Sequence, residues 1–265
     1  MRSRLFLISS NLALPHFTAA VSNLARGAER AAVVTTAEPK LKDRNRNAVL
    51  ARDTLLAVGV PAVEFFDFDK QPCADLAAFD LVYLAGGNPY YLLQRVRDTG
   101  ADAVIEEMVE AGRPIIGSSA GALLLGRSLN IVPIFDTSVS DLGCKDTDAL
   151  GLVPFTVLPH TNRWKARFAD YTARIVAAAV LCRSDIWEIT DDEGLLIDGD
   201  TVTRIGSTFP SSPVELSAQP AACPPRPKPT RSPRAKTDLI QHKTFHPPVL
   251  ADRRIIVDVE RRIEI

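Results

Sequence analysis

The residue best suited to nucleophilic chemistry is Ser119. It lies in the run Gly117-Ser118-Ser119-Ala120-Gly121, between an apolar strand-like segment at 114–116 and an apolar, helix-compatible segment at 122–125. A serine at a strand-to-helix turn, with glycine two residues away on each side, is typical of a nucleophile elbow. The turn strains the backbone of the serine, and larger side chains at the glycine positions would clash. We therefore predict that Ser119 is a nucleophile and that Ser118 is only its neighbour.

A serine nucleophile needs a general base, and His160 is the histidine best placed to be one. The chain has 4 histidines. His242 and His246 lie in a proline-rich C-terminal region, and His16 begins a predicted helix near the start of the chain. His160 ends an apolar run that begins at residue 151, so it should lie where a strand leaves the sheet and should face a cleft. We predict that His160 takes the serine proton.

The third member of such a triad is a carboxylate that orients the imidazole and stabilises its charged form. Four aspartates between the serine and the histidine are candidates: Asp136, Asp141, Asp146 and Asp148. They lie in a segment that has the composition of a polar loop, where most carboxylates are simply solvated. Spacing does not decide among them.

A second glycine-rich turn, Gly86-Gly87-Asn88, follows the buried strand-like run 81–85. Adjacent glycines at the carboxyl end of a strand let backbone amides approach a ligand closely. The turn lacks the third glycine and the following acidic residue of a dinucleotide-binding fingerprint. We therefore predict that Gly87 donates an N–H to an oxyanion, and that Ala120, at the start of a helix after Ser119, donates the other.

Alternating strand and helix patterns predict the elements that position these residues. The predicted strands are 4–9, 31–36, 63–66, 81–85 and 114–118, and the predicted helices are 17–25, 43–58, 90–97 and 101–111. The run 81–85 is apolar throughout, as expected for a strand buried on both faces of a parallel sheet. The pattern favours an α/β fold, a three-layer sandwich with a mostly parallel central sheet. Asp198-Gly199 between apolar runs predicts a β-hairpin near the end of this region.

Composition excludes several classes of protein. The 265 residues include 31 Lys and Arg and 32 Asp and Glu, which argues against a general nucleic-acid binder. No apolar run approaches the roughly 20 residues that span a bilayer, and the apolar start is too short for a signal peptide, so we expect a cytoplasmic protein without membrane contact. The 4 cysteines are far apart and fit neither a disulfide framework nor a metal site.

The near-neutral total charge averages two regions of different composition. Residues 211–265 hold 10 Lys and Arg, 6 Asp and Glu, and 9 of the 19 prolines. Proline fixes φ and removes amide donors, so this stretch should be extended rather than packed. We predict a catalytic α/β domain over 1–210 and a basic, largely disordered tail over 211–265, with a proline-rich partner ligand as the functional alternative for the tail.

The order of these motifs resembles the aspartyl dipeptidase (peptidase E) and cyanophycinase family of serine peptidases. The segments that carry the resemblance are Ala-Gly-Gly-Asn-Pro at 85–89, the elbow at 117–121, Leu-Val-Pro-Phe at 152–155 leading to Pro-His at 159–160, and Ile-Thr-Asp at 189–191 with Ile-Asp-Gly-Asp at 197–200. The resemblance covers about residues 4 to 206 and implies a fold similar to class I glutamine amidotransferases.

The resemblance implies a Ser-His-Asp exopeptidase that cleaves short peptides, above all dipeptides with an N-terminal aspartate. We expect it to be a monomer or homodimer. It places the nucleophile at Ser119, the base at His160 and the acid at Asp136, with Asp141 as the fallback. Gly86 and Asn88 would join Gly87 and Ala120 in the oxyanion and substrate-binding region, and no metal or other cofactor is needed. The alternatives are a cyanophycinase-like or esterase-like hydrolase and a catalytically silent binding module of the same fold.

Overall fold

The computed structural model describes residues 3–206 and 216–217. The ten strands in these residues are β1 (Arg4–Ile8), β2 (Arg30–Val34), β3 (Ala62–Phe66), β4 (Leu81–Leu84), β5 (Ile115–Ser118), β6 (Thr156–Leu158), β7 (Ile186–Glu188), β8 (Glu193–Asp198), β9 (Thr201–Gly206) and β10 (Leu216–Ser217). The eight α-helices are α1 (Thr18–Leu24), α2 (Arg46–Ala57), α3 (Pro89–Thr99), α4 (Ala101–Glu110), α5 (Ala120–Leu125), α6 (Val132–Phe135), α7 (Thr161–Arg167) and α8 (Tyr171–Cys182).

Eight of the strands form one mixed sheet in the order β10-β9-β8-β1-β5-β4-β2-β3. The five strands from β1 to β3 in this order pair in parallel, whereas β8, β9 and β10 add an antiparallel edge. Because β1, β5 and β4 are parallel neighbours, their carboxyl ends lie at the same edge of the sheet. This is the edge at which open α/β sheets bind their ligands.

Helices cover both faces of the sheet because the central strands are apolar on both faces. In β4, for example, Leu81 and Tyr83 join one hydrophobic cluster while Val82 and Leu84 join the other. Residues of α1 and α2 pack in the first cluster, and residues of α3, α4 and α5 pack in the second. The predicted three-layer α/β architecture is confirmed.

The antiparallel edge begins with the predicted hairpin. Strands β8 and β9 pair from Glu193↔Gly206 to Asp198↔Thr201, so Gly199 and Asp200 form a two-residue loop. Gly199 has φ +62°, as tight hairpin turns of this length require. The hairpin attaches to β1 and thereby brings the segment before β8 to the carboxyl end of β1.

Helices α6, α7 and α8 and strand β7 were not predicted. The strand expected before His160 is present as β6, but it pairs with β7 in a separate two-stranded parallel sheet and is not part of the main sheet. This small sheet holds the chain before His160 against the chain before Asp191, with Leu158 paired to Glu188. The other predicted strands and helices are present, with ends that differ by at most three residues.

The predicted tail lies outside the described residues except for Leu216–Ser217, which pair with β9. The domain boundary near residue 210 therefore stays a prediction. So does the hypothesis that the tail is a proline-rich ligand for a partner. Among the described cysteines, Cys73, Cys144 and Cys182 are free thiols. None of the helices in residues 3–206 combines the length and apolar character that a membrane span needs.

Candidate active site

Ser119 occupies the turn between β5 and α5 in a strained backbone conformation, with φ +49° and ψ −103°. Its N–H donates to the carbonyl of Ile8 at 2.9 Å, which extends the β1–β5 ladder into the turn. Positive φ is rare outside glycine and is maintained only where the surrounding structure enforces it. The predicted nucleophile elbow is therefore present in the local geometry.

The glycines flanking Ser119 are fixed by close backbone contacts. A Cβ on Gly121 would lie 2.3 Å from the carbonyl oxygen of Leu84, and a Cβ on Gly117 would lie 2.7 Å from the carbonyl oxygen of Gly121. Both distances are far below van der Waals contact. Only glycine lets α5 start this close to the ends of β4 and β5.

A hydrogen-bonded chain runs from Ser119 through His160 to Asp191. The Ser119 Oγ lies 3.0 Å from His160 Nε2, and His160 Nδ1 lies 2.6 Å from Asp191 Oδ1. With the Nδ1 proton donated to the carboxylate, Nε2 is an acceptor facing the serine hydroxyl. This is the arrangement in which an imidazole takes a proton from serine.

The carboxylate on His160 is Asp191 and not Asp136, so the predicted pairing of His160 with Asp136 does not match the geometry. Asp136 Oδ1 instead accepts from the backbone N–H of Ser138 at 3.1 Å and from the Ser138 hydroxyl. The remaining candidates also bond elsewhere: Asp141 Oδ1 accepts from Gly143 N–H, and Asp146 Oδ1 accepts from Asp148 N–H. Asp146 is also paired with Arg97.

Asp191 was not predicted because the candidates for the carboxylate partner of His160 were taken only from the residues between Ser119 and His160. Triad geometry does not require that order, since unrelated folds arrange the three residues differently along the chain. The available signal was the Ile-Thr-Asp segment at 189–191, which follows a short apolar run and precedes a predicted hairpin. A hairpin that docks on β1 must bring this segment to the carboxyl edge of the sheet.

Two serines directly after β1 join the loops that carry His160 and Asp191. The Ser9 hydroxyl accepts from the His160 N–H at 3.1 Å and donates to the Ile189 carbonyl at 3.0 Å. The Ser10 hydroxyl donates to the Asp191 carbonyl at 2.6 Å. These bonds fix the backbone on either side of the His160–Asp191 contact, and sequence analysis did not identify either serine.

Burial and neighbouring charges determine the protonation states of His160 and Asp191. Burial lowers the pKa of His160 below its usual 6.5, and the hydrogen bond to Asp191 opposes this shift only in part. Burial by itself would raise the pKa of Asp191, but hydrogen bonds from His160, Arg163 and Asn162 outweigh it and lower that pKa. At neutral pH the site therefore holds a neutral imidazole beside a carboxylate, which is the state of a general base.

The predicted oxyanion donors lie beside the serine. Gly87 and Ala120 line the same cleft as Ser119 and His160. Gly87 has φ +147°, and a Cβ there would lie 2.2 Å from the Ala37 carbonyl oxygen, so only glycine fits this turn. Asn88 donates its N–H to the same carbonyl at 2.7 Å.

Gly86 and Asn88 contribute to the site indirectly. A Cβ on Gly86 would lie 3.3 Å from Ser119 Cβ, so this glycine leaves room for the nucleophile. The Asn88 side chain caps α3 by accepting from Tyr90 and Tyr91 N–H, and its amide donates to the Ser140 carbonyl at 2.9 Å. Asn88 therefore stabilises the turn and is not among the residues that line the cleft.

The cleft has a volume of about 190 Å³ and combines apolar walls with two charged side chains. The charged residues are Asp136 and Arg163. Arg163 donates from Nε to Asp191 Oδ2 at 2.6 Å, and its side chain is 59% exposed. The apolar lining residues are Leu123, Ile131, Val132, Phe135, Val139, Leu158 and Trp164. No group of His, Cys, Asp and Glu suited to hold a metal ion occurs in residues 3–206.

A mostly parallel sheet with a strained serine turn and a serine–histidine–carboxylate chain is the arrangement found in α/β serine hydrolases. Comparison with known proteins is more specific: the sequence model of peptidase family S51 matches residues 5–205, and the chain belongs to that family.

Individual relatives agree with this assignment. An uncharacterised peptidase of Listeria monocytogenes is 36% identical over 123 residues, 46% of this chain and 58% of that protein. Peptidase E of Shewanella amazonensis is 36% identical over 134 residues, 48% of this chain and 54% of that protein. The matched region thus spans little more than half the length of these curated relatives.

Solved structures share the fold. The crystal structure of a protein assigned as a peptidase E from Listeria monocytogenes superimposes with a TM-score of 0.60 at 26% identity, covering 77% of this chain and 98% of that one. A peptidase from an acI-B1 actinobacterium gives a TM-score of 0.59 at 22% identity, covering 78% of this chain and 88% of that one.

Proposed function

We propose that this protein is a serine exopeptidase that hydrolyses short peptides, with dipeptides bearing an N-terminal aspartate as its substrates. The observation that carries the proposal is the continuous hydrogen-bonded chain from Ser119 Oγ through both nitrogens of His160 to Asp191. Membership of peptidase family S51 supports peptide bonds as the target.

The proposed mechanism forms and then hydrolyses an acyl-enzyme. His160 Nε2 takes the hydroxyl proton of Ser119 while Oγ attacks the scissile carbonyl carbon. The N–H groups of Gly87 and Ala120 donate to the resulting oxyanion, and Asp191 stabilises the imidazolium. His160 then gives the proton to the leaving amine, and a water molecule activated by His160 releases the acyl group. No step needs a metal or an organic cofactor.

The size and charge of the cleft support short, acidic substrates. Its volume of about 190 Å³ is below the roughly 300–1,000 Å³ of sites that hold drug-sized ligands. Arg163 lines it and has guanidinium donors besides the Nε that binds Asp191. An aspartate side chain on the substrate would pair with those donors. Arg127, two residues after α5, is not among the lining residues.

The test compares wild-type protein with Ser119→Ala on aspartyl dipeptides. We expect the variant to lose at least about 10⁴-fold in kcat, because the acyl-enzyme cannot form. Equal activity of the two proteins would refute the proposal. Ser118→Ala is the matched control, since the Ser118 hydroxyl bonds the Ser10 carbonyl and not His160, and it should retain activity.

Parallel assays separate the alternatives that share the elbow. Cyanophycin hydrolysis in preference to dipeptides would favour a cyanophycinase-like enzyme, and turnover of short esters alone would favour an esterase. A fluorophosphonate probe should label Ser119 in the folded protein. Failure to label it would favour a binding module without catalysis.

A further inference from the structure

Asp136 is a charged cleft residue to which the proposed mechanism assigns no role. It follows the last residue of α6 and lines the cleft together with Ser119, His160 and Arg163. Its Oδ1 is held by the backbone N–H and the hydroxyl of Ser138. The carboxylate is therefore oriented by neutral donors.

The Asp136 carboxylate has no cationic partner in the described part of the chain. No Lys or Arg there lies within ion-pair distance of it, whereas Asp191 in the same cleft is paired with Arg163. The residues of the cleft wall nearest in sequence to Asp136 are apolar: Val132, Phe135 and Val139. An oriented carboxylate beside apolar walls attracts a cation more strongly than one in open solvent does.

We propose that Asp136 binds the α-ammonium group of the substrate's N-terminal residue and so limits cleavage to the first peptide bond. The inference rests on the proposed function, which places the scissile carbonyl at Ser119. In an N-terminal residue the α-nitrogen is two bonds from that carbonyl carbon, within about 2.5 Å. A group that binds it must line the same cleft as the nucleophile, as Asp136 does.

A basic side chain of the substrate is the other source of a cationic nitrogen. A neighbouring cavity of about 490 Å³ is lined by Asp136 and Asp141, and a lysine or arginine side chain would reach into it. The α-ammonium group is favoured because Asp136 lines the nucleophile cleft, whereas Asp141 lines the neighbouring cavity and not that cleft. The experiment distinguishes the two sources.

The test compares aspartyl p-nitroanilide with its N-acetylated form. In wild-type protein we expect the free amine to be cleaved with a kcat/KM about 10- to 100-fold higher, the range for a hydrogen bond to a charged group. Asp136→Asn should remove most of this preference by slowing cleavage of the free amine, with less than about a threefold change for the acetylated substrate. Asp141→Asn, which makes the same charge change on the same segment, should keep the preference.

Two further measurements isolate the role of Asp136. At a pH well above the pKa of His160, the rate of fluorophosphonate labelling of Ser119 should be nearly the same in wild type and Asp136→Asn, because the probe has no ammonium group and the charge of Asp136 has only a minor effect on the pKa of His160. In the Ser119→Ala background, calorimetry should show tighter binding of Asp-Leu than of N-acetyl-Asp-Leu, and adding Asp136→Asn should abolish the difference. This binding readout does not depend on hydrolysis.

The proposal is overturned if wild-type protein treats free and acetylated substrates alike in both assays. It is also overturned if Asp136→Asn slows both substrates and the labelling reaction equally, since Asp136 would then act through His160. Loss of activity confined to peptides with Lys or Arg would assign Asp136 to side-chain recognition instead. If binding discriminates but no Ser119-dependent hydrolysis occurs, the proposed function and the limit on cleavage fail, and only the binding of the ammonium group by Asp136 stands.

Discussion

Replacing Asp191 by asparagine tests the proposed catalytic chain most directly. The change keeps the size of the side chain but removes the charge that faces His160 Nδ1 at 2.6 Å. In the native geometry the carboxylate fixes the imidazole tautomer and attracts the imidazolium formed during acylation. Asparagine would also leave the Arg163 guanidinium, now bonded to Asp191, without a counter-charge near His160.

The expected loss of kcat in Asp191→Asn follows from the attraction between the carboxylate and the imidazolium. Two unit charges about 4 Å apart attract by about 4 kcal/mol at an effective dielectric constant of about 20. The Asp191 side chain is 26% exposed and shared with Arg163, so the attraction is screened. After this screening, we expect Asp191 to stabilise the transition state by about 3 kcal/mol, and the loss of this attraction lowers kcat by about 10²-fold. The wrong tautomer adds to this, and the total loss should reach about 10³- to 10⁴-fold.

The assay measures kcat on an aspartyl dipeptide and the rate of fluorophosphonate labelling of Ser119. Both should fall in Asp191→Asn, whereas Asp136→Asn should leave the labelling rate unchanged. Thermal unfolding of each variant checks that the fold persists. The reasoning is refuted if Asp191→Asn labels at the wild-type rate while Asp136→Asn does not, because Asp136 would then be the residue that supports His160.

Two further predictions concern His160 and the elbow. Since burial lowers the pKa of His160 below 6.5, and only the neutral imidazole accepts the serine proton, kcat/KM should fall as pH decreases through an inflection below 6.5; an inflection above that value would contradict the assignment. Gly121→Ala places a Cβ 2.3 Å from the Leu84 carbonyl oxygen and should destabilise the protein by about 1–3 kcal/mol. Calorimetric melting should show a decrease of several degrees, and an unchanged melting temperature would show that α5 shifts to accommodate the methyl group.

The central part of the fold could be predicted because its local signals agree. Strands β1, β2, β4 and β5 are short, largely apolar runs bounded by polar or turn-forming residues, and such runs leave few alternatives to buried parallel strands. Strand β3 lies at the edge of the sheet, contains Glu64 and is only partly buried. The elements after Leu125 have weaker signals. Strands β6 and β7 have three residues each, too short for periodicity to be visible, and they pair only with each other. Helix α8 exposes Val176, Val180 and Leu181, so its apolar residues do not mark a buried face.

The strength of the local sequence signal also explains which site residues could be predicted from the sequence. Ser119 and Gly87 lie on turns whose conformation demands particular residue types, so sequence alone reveals them. Asp191 has no such local requirement: any loop accommodates an aspartate, and its role follows from three long-range contacts. The β8–β9 hairpin docks on β1, the small sheet holds the preceding residues, and Ser10 bonds the Asp191 carbonyl. The carboxylate partner of His160 is thus set by where two separate sheets bring the chain together, and spacing from Ser119 carries little information about it.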